Sequence, residues 1–154
     1  MRVALYQPDI PQNTGAMIRL AACLGVGLDI IEPCGFVFDD RKVTRSAMDY
    51  MNHVSYERHA SWDTFKSIKQ EKQRYVLMTT KASISYLDFD FAPDDILIAG
   101  RESAGVPDDV HEICEGRVCI PMSANARSLN VVNATSLILG EALRQTNGFK
   151  DLTL

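Results

Sequence analysis

The segment Ile96-Leu97-Ile98-Ala99-Gly100-Arg101-Glu102-Ser103-Ala104-Gly105-Val106-Pro107 begins with four consecutive apolar residues and then turns abruptly small and polar. A run this short, without alternation and bounded by Asp95 and Gly100, reads as a strand buried on both faces. The glycines permit a tight loop, and Pro107-Asp108-Asp109 opens a short helix. The pattern recurs along the chain. Residues 2–7, 27–31, 74–79 and 117–120 read as further strands, with 54–57 a possible short one. Helices are expected from Pro11 to a stop at Gly25, from Ser61 or Asp63 to about Lys72, and over 129–145, closing near Gly148. Residues 39–52 are weakly helical and strongly charged. Strands alternating with helices, and strand interiors nearly continuous in apolar residues, predict one α/β domain over residues 1–154. Its sheet is mostly parallel with helices on both faces, and ligands bind beyond the carboxyl ends of such strands.

With 154 residues, 46% of them hydrophobic, the chain is long enough to bury a core without disulfides or a metal. No apolar run approaches the ~20 residues of a membrane span, and residues 1–8 hold too short an apolar run for a secretory signal. A cytoplasmic protein with no membrane partner is expected. Cys23, Cys34, Cys114 and Cys119 lack C-x-x-C spacing, and His53, His59 and His111 sit apart from them. Buried reduced thiols are therefore expected, with no metal site. The net charge of −4 argues against binding nucleic acid by bulk charge alone. Its distribution is uneven: residues 41–81 carry nine Lys/Arg against four acids, and residues 88–115 carry nine acids against Arg101 alone. That asymmetry marks either a phosphate-facing side opposite a solvated one, or ordinary helix-surface charge.

Three segments carry candidate chemistry. In the first, residues 13–25, Arg19 is the only charge of an apolar helix. Such a helix is expected to be buried, and its guanidinium to need a partner or a ligand. Gly15, one turn earlier, leaves room beside it for a docking group; an ion pair or a rim position is the alternative. The second segment is the loop 100–107, whose backbone N–H groups suit polar or anionic groups. It is neither a Walker A loop nor G-x-G-x-x-G. In the third, residues 119–134, a strand runs into ten largely polar residues and then a helix. Apolar residues surround that helix rather than line one stripe, so it is either wholly internal or packed against a second subunit.

Together these segments resemble the SPOUT superfamily of knotted RNA methyltransferases, and within it the small single-domain tRNA (cytidine(34)-2′-O)-methyltransferase family. The resemblance runs from Leu5-Tyr6-Gln7-Pro8-Asp9-Ile10-Pro11-Gln12-Asn13-Thr14-Gly15 through Ile30-Ile31-Glu32-Pro33 and Thr79-Thr80-Lys81. It continues through Gly100-Arg101-Glu102, Ile120-Pro121-Met122 and Arg127-Ser128-Leu129-Asn130 to Glu141-Ala142-Leu143-Arg144-Gln145. It implies a sheet whose C-terminal segment threads a deep trefoil knot, which folding rules alone would not propose. It also implies S-adenosylmethionine bound near Met78, Thr79, Gly100, Ile120, Met122, Ser128 and Leu129, leaving S-adenosylhomocysteine as product. The implied activity is 2′-O-methylation of the wobble ribose, position 34, in the tRNA anticodon region. Arg19, Asn13 and Glu102 are the implied catalytic set, with Arg19 as a base or a phosphate anchor, and the implied assembly is a homodimer through the first and last helices.

Two positions depart from the family pattern. Gly140 stands where relatives usually carry a tyrosine, and Val132 replaces a frequent serine. Without an appended RNA-binding domain, the basic segment 41–81 is the natural tRNA surface, and Phe36, Tyr50, Tyr56 and Trp62 are available to stack on single-stranded bases. Arg127 is a phosphate contact or a donor within the knot. A non-catalytic RNA-binding module on the same scaffold is the alternative function. An ordinary doubly wound nucleotide-binding enzyme is disfavoured by the lack of a glycine-rich first turn.

Overall fold

The structure, a computed structural model, describes residues 1–38, 55–150 and 152. The helical stretch expected at 39–52, with Arg41, Lys42, Arg45 and Tyr50, lies outside the described residues. In chain order the elements are β1 (Arg2–Tyr6), α1 (Pro11–Leu24), β2 (Gly27–Ile31), β3 (Tyr56–His59), α2 (Trp62–Ser67), β4 (Tyr75–Met78), β5 (Ile96–Ala99), α3 (Asp108–Ile113), β6 (Gly116–Val118) and α4 (Val131–Gln145). The strands form one sheet in the order β3-β2-β1-β5-β4-β6, parallel throughout. Leu5 pairs with Ala99, Ala99 with Met78, and Met78 with Val118, so the carboxyl ends of four strands are level along one edge.

Period-2 alternation divides each strand between two cores. On one face Val3, Leu5, Leu28, Ile30, Leu97 and Ala99 pack against Met17, Ile18 and Ala21 of α1 and Ile138, Leu139, Ala142 and Leu143 of α4. On the other, Ala4, Tyr6, Ile31, Tyr75, Leu77 and Ile98 pack against Trp62 and Phe65 of α2 and Val110 and Cys114 of α3. Trp62 is therefore a core residue, in ring contact with Tyr6, Phe65 and Tyr75. Its place in the apolar layer under α2 takes it out of the set of base-stacking side chains. Phe36 stacks on Phe38 and packs against the first core.

The chain leaving β6 is bordered on both sides by one stretch. Thr79 N–H donates to the Val118 carbonyl at 2.9 Å on the β4 side. On the far side Cys119 N–H donates to Ile84 O and Tyr86 N–H donates to Cys119 O, each at 2.9 Å. The segment from Cys119 onward thus passes through the loop that leaves β4 before α4 docks on the α1 face. This is the threading of the α/β knot.

Element boundaries moved where local chemistry outweighed pattern. α4 begins at Val131 rather than Leu129 because Asn130 caps it, its side-chain oxygen accepting from Val132 N–H at 2.8 Å. Ser61 likewise caps α2, but that helix stops at Ser67. Beyond Phe65 it has no apolar residue to bury, and Ile68 is half exposed. β3 is displaced by two residues from the expected 54–57, and β6 ends two residues early, at Val118.

Among the described residues the uneven charge resolves largely into internal pairing. Arg74 makes a two-pronged bond to the buried carboxylate of Asp95, at 2.8 Å on each prong, and Lys69 pairs with Glu115. Arg58 pairs with Glu32, and Lys66 with Asp63. Among the described residues of the basic segment, Lys72 and Lys81 carry the charge that no ion pair consumes. The sequence also gave no sign of a buried network at the opposite end of the sheet. There Asp29, 1% exposed, accepts from Arg2 Nε at 2.7 Å and bonds His59 Nε2 at 2.7 Å. Asp29, Glu57 and His59 are close enough to share a cation, and the Arg2 guanidinium is the cation that fills the place.

Among the described residues no helix is long and apolar enough to cross a membrane. The four cysteines are free thiols. Cys114 is buried, its thiol pushed up to about 12 by burial, whereas Cys23 lies exposed on α1, contrary to the expectation of buried thiols.

Candidate active site

The carboxyl ends of β4, β5 and β6 and the first turns of α1 and α4 enclose a cavity of about 450 Å³, within the usual range for small-molecule sites. Its floor is apolar, from Leu77, Ala99, Val118 and Ile138. Its rim is main chain and small polar side chains from three loops, one after each strand. Every position that the resemblance implied for the cofactor borders it: Met78 and Thr79 after β4, Gly100 after β5, and Ile120, Met122, Ser128 and Leu129 along the threaded segment. The N–H groups of Ile120, Met122, Ser128 and Leu129 have no hydrogen-bond partner among the described residues. An apolar floor suits a flat ring and the carbon substituents of a sulfonium, and a rim of unclaimed backbone groups suits the edges of a base and a ribose. These residues therefore fit an adenosyl sulfonium.

Gly100 is required by its surroundings. A Cβ placed there would lie 2.7 Å from the Gly105 carbonyl carbon and 2.9 Å from its Cα. The two strands of this tight loop are clipped by reciprocal bonds between Arg101 and Gly105, of 2.9 and 2.8 Å. Gly105 itself has φ +69°, in the left-handed region that favours glycine.

Two of the three implied catalytic residues meet at the rim. The Glu102 carboxylate accepts from Asn13 Nδ2 at 2.9 Å and from the Asp9 backbone N–H at 2.8 Å. Asn130 Nδ2 donates in turn to Asn13 Oδ1 at 3.2 Å. These bonds fix the Asn13 amide orientation and tie the starts of α1 and α4 to the loop after β5. In this arrangement Glu102 holds Asn13 in place rather than offering an unengaged carboxylate.

Arg19 is elsewhere. It is exposed on α1 and does not border the cavity of its own chain. The expectation of a buried guanidinium is not met within the single chain, because α1 turns Thr14, Gly15, Met17, Ile18 and Ala21 inward and Arg19, one turn beyond Gly15, falls outside that packed stripe. The helix is less uniformly buried than its composition suggested.

Sequence reasoning missed Asp9 and the side chain of Arg101. Asp9 Oδ1 accepts from Arg101 Nη2 at 2.7 Å and from Nε at 3.2 Å, and Oδ2 accepts from the Ser103 N–H at 3.1 Å and from its hydroxyl. The Arg101 guanidinium, with Ser103 beside it, holds the Asp9 carboxyl down at about 2. An acid just past β1 and a base just past its neighbour β5 were the available signal; reading it required knowing that β1 and β5 are adjacent.

A parallel sheet threaded by its own C-terminal segment, with a ligand-sized cavity formed at the threading, defines a knotted α/β protein with a candidate small-molecule site at its carboxyl edge. Residues 1–140 match the SpoU rRNA Methylase family, and the chain belongs to that family. It is 56% identical over 144 residues to a tRNA (cytidine(34)-2′-O)-methyltransferase of Beijerinckia indica, covering 93% of this chain and 90% of that one. A solved structure described as giving structural insights into the 2-OH methylation of C/U34 on tRNA superposes with a TM-score of 0.90 at 35% identity, covering 96% of both chains. The SpoU methyltransferase AviRb from Streptomyces viridochromogenes, solved in complex with the cofactor AdoMet, superposes with a TM-score of 0.81 at 31% identity, covering 94% of this chain and 60% of that one.

Proposed function

We propose that this chain transfers the methyl group of S-adenosylmethionine to the ribose 2′-hydroxyl of the wobble nucleotide, position 34, of tRNA. One observation carries the reading: seven positions scattered from 78 to 129 border a single cavity where the chain threads itself. Their backbone groups hold the cofactor, with the apolar floor beneath its ring. Bound there, S-adenosylmethionine supplies an activated methyl group, so no metal is needed.

The protein's task is then to orient a hydroxyl and ease removal of its proton. Asn13, fixed by Glu102 and Asn130, presents its amide at the rim. Arg19 acts from the partner subunit as a phosphate anchor that also polarises the hydroxyl. This role suits a guanidinium, which stays protonated at working pH. The homodimer packs α1 and α4 together. These helices already share one face of the sheet, Leu137 is half exposed on α4, and all of 123–130 is exposed in the isolated chain. The tRNA anticodon region lies across both subunits, in the cytoplasm, with Lys81 and Arg127 beside the cavity as phosphate contacts. Arg127 makes no hydrogen bond or ion pair within the described residues that would make it a knot-internal donor.

The test is methyl transfer from labelled S-adenosylmethionine to bulk tRNA by the wild-type dimer. Incorporation that disappears in Arg19→Ala supports the reading. A folded dimer that labels no tRNA pool, while still binding tRNA, would instead support a non-catalytic RNA-binding module.

A further inference from the structure

Arg101 borders the cavity, and the ligand proposed for it is a cation. A bare guanidinium on that wall would repel a sulfonium. Asp9 does not border the main cavity, yet it engages three consecutive residues of the loop after β5, of which Arg101 and Glu102 border it: the Arg101 guanidinium, the Glu102 carboxylate through its own N–H, and the N–H and hydroxyl of Ser103. Behind it the fit is tight. Gly35 donates its N–H to the Pro8 carbonyl, and a Cβ on Gly35 would sit 2.6 Å from Asp9 Oδ1 and 3.0 Å from Asp9 Cα. Gln7, at φ +45°, turns its side-chain oxygen toward Arg101 at 3.4 Å.

We infer that Asp9 is a positioning residue that neutralises Arg101 on the cavity wall, making the site accept the cationic S-adenosylmethionine as readily as the net-neutral thioether S-adenosylhomocysteine. The inference rests on the cofactor reading above. The carboxyl remains ionised throughout the working range, being held at about 2. With the Glu102 carboxylate on the same wall, removing the Asp9 charge makes the wall more positive by one, and removing the Arg101 charge makes it more negative by one. The two changes act in opposite directions on a ligand with a sulfonium charge and have less effect on one whose sulfur is neutral.

The experiment is calorimetric titration of S-adenosylmethionine and S-adenosylhomocysteine into wild type, Asp9→Asn, Arg101→Gln and the double variant. Asp9→Asn is expected to weaken S-adenosylmethionine about tenfold and S-adenosylhomocysteine about threefold. Arg101→Gln is expected to shift the preference the other way, toward S-adenosylmethionine, and the double variant to restore the wild-type ratio. Gly35→Ala, which displaces Asp9 from Arg101 without changing net charge, is expected to shift the preference in the same direction as Asp9→Asn, and by less. Equal weakening by Asp9→Asn, or the same sign from Arg101→Gln, overturns the inference. If Asp9→Asn fails to fold, the sign of the Arg101→Gln shift decides. A wild type that binds neither ligand would refute the cofactor reading instead.

Discussion

Replacing Gly100 by alanine adds one methyl group where the loop after β5 is narrowest. Its Cβ would meet the Gly105 carbonyl carbon at 2.7 Å, about 0.7 Å inside the 3.4 Å at which ordinary contact begins. The obstacle is backbone, held by the paired Arg101–Gly105 bonds, so no side chain can swing away. Relief requires moving the loop by about that 0.7 Å and breaking both bonds. At roughly 0.5–1.5 kcal/mol each, the fold should lose about 1–3 kcal/mol. For a domain of this size that corresponds to a fall of roughly 3–10 °C in melting temperature. The loop is also the middle wall of the cavity, and a displacement approaching 1 Å at a reacting site costs on the order of 100-fold in rate. Thermal melting, S-adenosylhomocysteine titration and methyl transfer should therefore all report the change, with affinity down at least tenfold. A Gly100→Ala protein that melts lower but binds the product within twofold of wild type would refute the assignment of this loop to the cofactor.

Arg19→Ala should reduce methyl transfer at least 100-fold while the protein still folds and binds S-adenosylhomocysteine, because Arg19 is exposed and away from its own chain's cavity; turnover within tenfold of wild type would contradict its role. Gly140→Ala should raise stability by roughly 0.5–1 kcal/mol in urea unfolding, since glycine is a poor helix former and an added Cβ there meets nothing within 4 Å of its own chain. A loss instead would mean that a partner subunit packs closely on that position. Asp9 and Glu141 are both held at about 2, the first mainly by Arg101 and the second mainly by Arg144. Both carboxylates are depressed, so their contribution is fully present above the ordinary range near 4 and is lost as pH falls toward 2. Melting temperature followed from pH 5 to 2.5 should drop more steeply for wild type than for Asp9→Asn, and parallel curves would exclude Asp9 from the acid transition.

The parallel sheet was legible because Ile96–Ala99 and Tyr75–Met78 are too short and too uniformly apolar to be anything but strands covered on both sides. The loops after β5 and β6 stood out as strand ends running into small or polar residues. The threading was not legible from pattern. It depends on one loop bordering Cys119 on both sides, a long-range relation with no local signature, and only the resemblance supplied it. The burial of Arg19 within its own chain was overestimated because composition reports how apolar a helix is, not which of its faces is turned inward. The Asp9–Arg101 pair and the Arg2–Asp29–His59 network were missed for one shared reason. Each joins residues 27 or more positions apart, and their charges become meaningful only when the strand order is known.

The most direct test of the whole account is to locate the methyl group. Purified tRNA incubated with the protein and S-adenosylmethionine should, after nuclease digestion and mass spectrometry, carry one added methyl on the ribose of nucleotide 34 and none on any base. A methyl on a base, or at a ribose outside the anticodon, would contradict it.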